Sequence, residues 1–256
     1  MRESSRFLLA AACVALLGSA GFALHLRQPD LSQLSVDEVE RLRLKAQAAP
    51  QTDALAQIRL AADQGNRAAQ RVAGFLYLLK SDAASWQTGV DYAKLAARQG
   101  DPEAFYLLGQ AYFNGHATLT QMPDYGLARH WFELAAEHGS NKAQYFLGLI
   151  FKSGYGIGAD PQRASYWFQL AADHGNADAM FMLGNAYAHG EGVKPDVKRA
   201  RKLYQAAASL EHPLASQTLA FAIQQGELGF SQNQQQADEL LQETEHQIDH
   251  MKAAAP

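Results

Sequence analysis

Five times between residues 54 and 226 the chain repeats one pattern, and that repetition constrains the fold more than any single residue does. A glycine following a double alanine falls at Gly65, Gly100, Gly139 and Gly175, with Glu211 in the fifth copy, so the steps are 35, 39, 36 and 36 residues. A fixed period in this range marks one supersecondary unit stacked on itself. Such units bury apolar surface mainly against their neighbours, so the copies must pile in series.

Each copy reads as two helices. In the fourth, Ala164, Trp167, Phe168, Ala171 and Ala172 recur at three-four spacing and form one apolar stripe. Gly175 ends that helix, because glycine readily takes the left-handed conformation just past a helix. A second helix runs through Ala179, Leu183, Gly184 and Tyr187 to Gly190. Its small position recurs as Gly74, Gly109, Gly148, Gly184 and Ala220. A mid-helix glycine costs up to about 1 kcal/mol relative to alanine, so its recurrence predicts a tight helix crossing at that point. Trp131 and Trp167 on first helices, with Tyr77, Tyr112, Phe151 and Tyr187 on second ones, are expected to fill the groove beside it. Asp101-Pro102-Glu103 supplies an N-cap, a first-turn proline and a dipole-favoured acid. Asp124, Asp160 and Asp196 occupy the same place in later copies.

The combination LAA-x-x-G, LG-x-x-Y, G-x-G-V/I and a following D-x-x-x-A resembles the Sel-one-like repeat (SLR) family over residues 52–226. The resemblance implies an all-α fold, a right-handed α/α superhelix or solenoid of about five helix-pair repeats. Ser35-Val36-Asp37-Glu38 is a capping-box sequence and predicts an N-terminal capping helix over 34–49. A polar, helix-prone segment over 233–251 reads as the C-terminal cap, since the ends of a solenoid must face water. The copies depart from one another at Lys80, at the insertion after Gly115, and at Glu211 and Pro213.

The first 23 residues stand apart from the repeats. Arg2 and Arg6 precede an uncharged stretch from Phe7 to Leu24 with small residues near its end, the pattern of a signal peptide or an N-terminal membrane anchor. Either reading exports the remainder, to the periplasm or beyond, or holds it at the inner membrane. The single cysteine, Cys13, lies in this segment, so neither disulfides nor thiolate chemistry is expected in the repeats.

Nothing in the pattern asks for catalysis or a cofactor. G-x-S-x-G, S-x-x-K and H-E-x-x-H are all missing from the sequence. Gly154-Tyr155-Gly156-Ile157-Gly158 imitates a phosphate loop, but it joins two helices and recurs one period later as Gly190-Glu191-Gly192, so it reads as a turn. His138 and His174 occupy one repeat position, about one copy apart, too far to share an ion. His246 and His250 are four apart but supply only two donors, so no metal site is expected. A net charge of −4 gives no basic footprint for nucleic acid.

What remains is surface. A superhelix presents a concave face, here expected on the first helices of each pair. The partner-binding candidates on it are Asp91 and Lys94, then Arg129, His130 and Glu133, then Tyr166 and Gln169, then Lys202 and Gln205. Tyr166 stands out, because an aromatic among polar groups is typical of an interaction hot spot. The expected function is a non-catalytic scaffold or adaptor for another protein or an extended peptide in a bacterial envelope complex, as the resemblance implies. The alternatives are a glycan or cell-wall-binding module acting in envelope or exopolysaccharide processes, and, further off, a hydrolase. The family's cysteine-rich branch, linked to β-lactam hydrolysis, is a poor match for a chain without paired cysteines.

Overall fold

A computed structural model describes residues 29–115 and 122–254, with side chains through residue 246. Every described helix belongs to one compact unit, Leu31–Pro256. The signal-peptide or anchor segment, most of the insertion after Gly115, and the His250 side chain lie outside the described residues.

Among the described residues all regular structure is helical. The first six helices are α1 (Val36–Ala48), α2 (Ala54–Asp63), α3 (Arg67–Leu78), α4 (Ala83–Arg98), α5 (Pro102–Asn114) and α6 (Tyr125–Glu137). They are followed by α7 (Asn141–Ser153), α8 (Pro161–Asp173), α9 (Ala177–His189), α10 (Val197–Ser209), α11 (Pro213–Gln225) and α12 (Gln234–Ala254). The start signals work as the residue types require. Ser35 and Glu38 close a reciprocal capping box on α1. The carboxylates of Asp101, Asp124, Asp160 and Asp196 accept from the first free N–H groups of α5, α6, α8 and α10. The stops work equally well: Gly65, Gly100, Gly139 and Gly175 all have φ between 73° and 93°.

The fifth copy must make the same turn without glycine. Glu211 is held at φ 59°, a left-handed conformation in which its Cβ crowds the backbone.

Consecutive helices pack in series, which makes the unit an α-solenoid. From α3 onward the most extensive packing joins α3 to α4, α5 to α6, α7 to α8, α9 to α10 and α11 to α12. The tight hairpin is therefore the glycine-bearing helix followed by the alanine-pair helix, half a unit out of step with the register set by the alanine pair. The odd-numbered helices also touch their like neighbours directly, α1 on α3, α3 on α5, α5 on α7 and α7 on α9. The even-numbered helices make no such contact of comparable extent. Helices that approach one another lie on the shorter arc of a curved stack. The odd helices are thus the inner rank and the even helices the outer one, which reverses the expectation that the alanine-pair helices line the concave face.

The recurrent glycine has a specific occupant. A Cβ added at Gly109 would stand 2.5 Å from the Phe132 ring, and one at Gly184 would stand 2.7 Å from the Tyr204 ring. Phe168 seats on Gly148 in the same way. All three rings are almost fully buried. Removing one such side chain from water stabilises by about 1.5–3 kcal/mol. The tryptophans fill the groove beside this seat, as expected: Trp131 is partly buried and stacks on Phe105 with ring centroids 6.2 Å apart.

Candidate functional site

The inner rank carries a trough between α3 and α5. Residues three and four apart on each helix turn the same way, Val72 and Phe75 on α3 and Glu103, Tyr106, Leu107 and Gln110 on α5, and Val72, Phe75 and Leu107 make the floor apolar. A cavity of about 480 Å³ over these residues runs into a second of about 270 Å³, with Phe75, Leu107 and Gln110 common to both. The second continues over Leu78, Leu79 and Trp86. Trp86 is 4% exposed, its ring edge-on to Tyr112 at 6.1 Å. A third cavity of about 330 Å³ follows at Trp86, Ala111 and Gly115.

One end of the trough is charged. Glu40 and Arg43 of α1, Arg71 of α3, Glu103 of α5 and Lys142 of α7 surround it. Arg71 sits between two acids, 3.2 Å from Glu40 and 3.6 Å from Asp101. Glu40 also accepts from Arg43 at 2.5 Å. Burial pushes the Glu40 carboxyl up, but its hydrogen bonds from Arg43 and Arg71 outweigh that and hold it below the usual range. Asp101 is 7% exposed and already caps α5, so Arg71 is anchored through a residue that helix α5 holds in place. Burial pushes the Tyr106 phenol up to about 12, with the Glu103 charge adding to it, so this tyrosine is a neutral hydrogen-bonding group at physiological pH. Lys142 lies over its ring at 6.0 Å from the centroid.

The arrangement offers apolar burial beside fixed charges of both signs. Among the described residues no three His, Cys, Asp or Glu side chains converge to hold a metal ion. His138 and His174 serve the turns instead. His138 Nδ1 lies 2.9 Å from the Leu134 carbonyl and His174 Nδ1 3.0 Å from Gln144.

The nine residues singled out from sequence occupy the outer rank, and none of them lines these cavities. Asp91 accepts a hydrogen bond from Gln87, and Lys94 lies over the Tyr112 ring at 5.8 Å. Arg129 pairs with Glu133 at 3.6 Å, while the His130 ring packs on Trp131. Tyr166 is 58% exposed with its ring edge against Trp167. Gln169 donates to Asp173, and Lys202 and Gln205 face solvent on α10. Stepping by the repeat, Asp91, His130, Tyr166 and Lys202 are one ladder of equivalent positions, as are Lys94, Glu133, Gln169 and Gln205.

The trough residues escaped sequence reasoning because their own helices look like packing helices throughout. The available signal was the ladder Arg71, Tyr106, Tyr145, Phe181, four large side chains at the position three before the small residue.

The model of the Sel1 repeat family matches residues 87–101, 102–140, 141–176 and 177–212. The chain carries Sel1 repeats. Three of the matched units begin at the start of an odd helix and end after the following even one, which is the hairpin register seen in the packing. Beyond the match, α3 continues the inner rank through its contact with α5, and α11 packs between α10 and α12 at the other end.

A similar solved structure is that of c5321, a protective antigen present in uropathogenic Escherichia coli strains that displays an SLR fold. It is 26% identical over 83% of this chain, with a TM-score of 0.68. This chain spans only 46% of that one. A Sel1 repeat protein from Oxalobacter formigenes is 24% identical, with a TM-score of 0.68, over 82% of this chain and 85% of that one. No curated protein matches the chain.

Proposed function

We propose that this chain is a non-catalytic scaffold of a bacterial cell envelope that holds an extended segment of another protein in the trough between α3 and α5. Sel1 repeats are commonly protein-interaction scaffolds and generally a non-catalytic fold, which supports the coarse part of this reading. The observation that carries the rest is the trough itself, an apolar floor through Phe75 and Leu107 that ends among Arg43, Arg71 and Lys142. Its floor takes apolar side chains of the bound segment, and its charged end takes the polar ones. The envelope is proposed from the basic, then apolar, first 24 residues, which direct the rest of the chain out of the cytoplasm.

The test is photo-crosslinking of the full chain in bacterial cells. A photoreactive residue at Gln110 samples the trough, and one at Gln205 samples the outer rank. The expected result is a discrete covalent adduct from Gln110 and none of the same mass from Gln205. Adducts from Gln205 alone would move the docking surface to the outer strip of Asp91, His130, Tyr166 and their neighbours. No adduct from either position would count against a scaffold. Fractionation of the same cells tests the location, and recovery of the chain in the cytosol would remove the envelope from the reading.

A further inference from the structure

The outer rank changes charge abruptly at its C-terminal end. Residues 194–202, leading into and forming the first turns of α10, hold Lys194, Lys198, Arg199, Arg201 and Lys202 against one acid, Asp196. Lys194, Lys198 and Lys202 are spaced four apart, and all three are exposed. None of the three forms an ion pair among the described residues. The next outer helix, α12, is the reverse. Its residues 234–246 hold Asp238, Glu239, Glu243 and Glu245 and neither lysine nor arginine, and these four acids are exposed. Asp238 and Glu239 accept hydrogen bonds from Gln234 and Gln235, one turn back in their own helix.

Two features make this more than a solvated surface. The first is position: cations in the first turn of a helix oppose its dipole, and Lys198 and Arg199 both stand there. The second is adjacency. Both α10 and α12 pack on α11, so a basic helix and an acidic one are successive members of the outer rank, and no salt bridge joins them among the described residues.

We infer that this bipolar face is a self-association surface whose partner is a second copy of this chain. The geometry selects that occupant. A face with a positive strip beside a negative one is complementary to itself after a half-turn about an axis between the strips. That rotation lays α10 of one protomer over α12 of the other and repeats the pairing in reverse, giving a closed isologous dimer. An acidic protein or an anionic lipid surface would satisfy α10 and leave α12 facing like charge. The inference does not involve the trough, so it stands or falls apart from the proposed scaffold function.

The test is sedimentation velocity of the purified full chain and two charge-reversed variants, with far-UV circular dichroism to confirm helix content. The wild type is expected to dimerise at about 0.05 M salt and to dissociate at about 0.5 M, where exposed charges are screened over a few ångströms. Lys198→Glu with Lys202→Glu is expected to weaken association by about tenfold or more, because like strips then face one another. Asp238→Lys with Glu239→Lys is expected to do the same. Mixing these two variants is expected to restore association, since each supplies the strip the other has lost and both retain one native strip. A wild type that stays monomeric at low salt would overturn the inference. So would reversed variants that associate as the wild type does, or a mixture that fails to pair although each variant is folded.

Discussion

The hairpin α3–α4 and the three hairpins after it solve one problem in two ways. In α5–α6, α7–α8 and α9–α10 a glycine on the inner helix leaves a socket, and an aromatic ring from the outer helix fills it: Phe132, Phe168 and Tyr204. At the equivalent outer position α4 has Ala93, and one turn earlier it has Gly89. With no ring to hold them apart, the two helices approach until backbone meets backbone. A Cβ at Gly74 would stand 3.0 Å from the Ala93 amide, and one at Gly89 would stand 2.9 Å from the Gly74 carbonyl. The ring-and-socket seam is made of side chains and can adjust. The α3–α4 seam has main chain on both sides and cannot.

The largest effect belongs to the sockets. Phe168→Ala is expected to cost about 3–5 kcal/mol of unfolding free energy, measured by urea denaturation, because the ring leaves a buried void beside Gly148. A loss under about 1 kcal/mol would mean the socket collapses freely, and the contrast between the seams would lose its basis.

Next comes the rigid seam. Gly89→Ala is expected to cost about 1–3 kcal/mol, toward the upper end, since the new methyl meets main chain that only a shift of a whole helix can relieve. Trimming a neighbour discriminates the two seams. Gly109→Ala is expected to regain stability when combined with Phe132→Leu, whereas Gly89→Ala is not expected to recover with Leu78→Ala, because main-chain atoms remain in the way. Equal rescue at both seams would erase the distinction.

Tyr204 differs from its phenylalanine equivalents in carrying a hydroxyl, which donates to Asn185 at 2.8 Å. Burial pushes its phenol up to about 12. A raised folded pKa means that the contribution is complete below the unfolded value near 10 and is lost as pH rises from there toward 12. Thermal melts from about pH 9 to about pH 12 are expected to show this loss. Tyr204→Phe should lower stability by about 1 kcal/mol near neutrality, through the missing hydrogen bond, and flatten the alkaline decline. An unchanged alkaline profile in Tyr204→Phe would assign the decline to other groups.

The smallest effect is a gain. Glu211→Gly is expected to add about 0.5–1 kcal/mol, since glycine takes φ 59° without steric conflict but loses more freedom on folding. The measurement is the midpoint of chemical denaturation, and a fall in midpoint would show that the turn is not strained.

The helices themselves were legible because their ends are local chemistry. An aspartate before the first turn and a glycine after the last act within a few residues, so their meaning survives in a one-dimensional string. Ser35 and Glu38 announced α1 for the same reason. The pairing of helices was not legible at that level. Every copy is a run of alternating helices, and a period of about 36 residues is the same whether the unit opens on Ala164 or on Ala177. Only the direct contacts of α3 with α5 and of α5 with α7 distinguish inner from outer. The nine surface residues named from sequence stand on the outer rank for that reason, while Phe75, Leu107 and Arg71, which line the trough on the inner one, looked like packing residues. A close crossing at Gly109 was legible but Phe132 as its occupant was not, because residue volume alone does not tell which way a side chain turns.

The trough lies across a joint. Its two walls, α3 and α5, belong to different hairpins, and the contact between those hairpins is slighter than the seam inside either one. Anything clasped there must span the junction and set the angle at which the two links meet. Occupancy at this single point would therefore fix the angle between the α3–α4 and α5–α6 links.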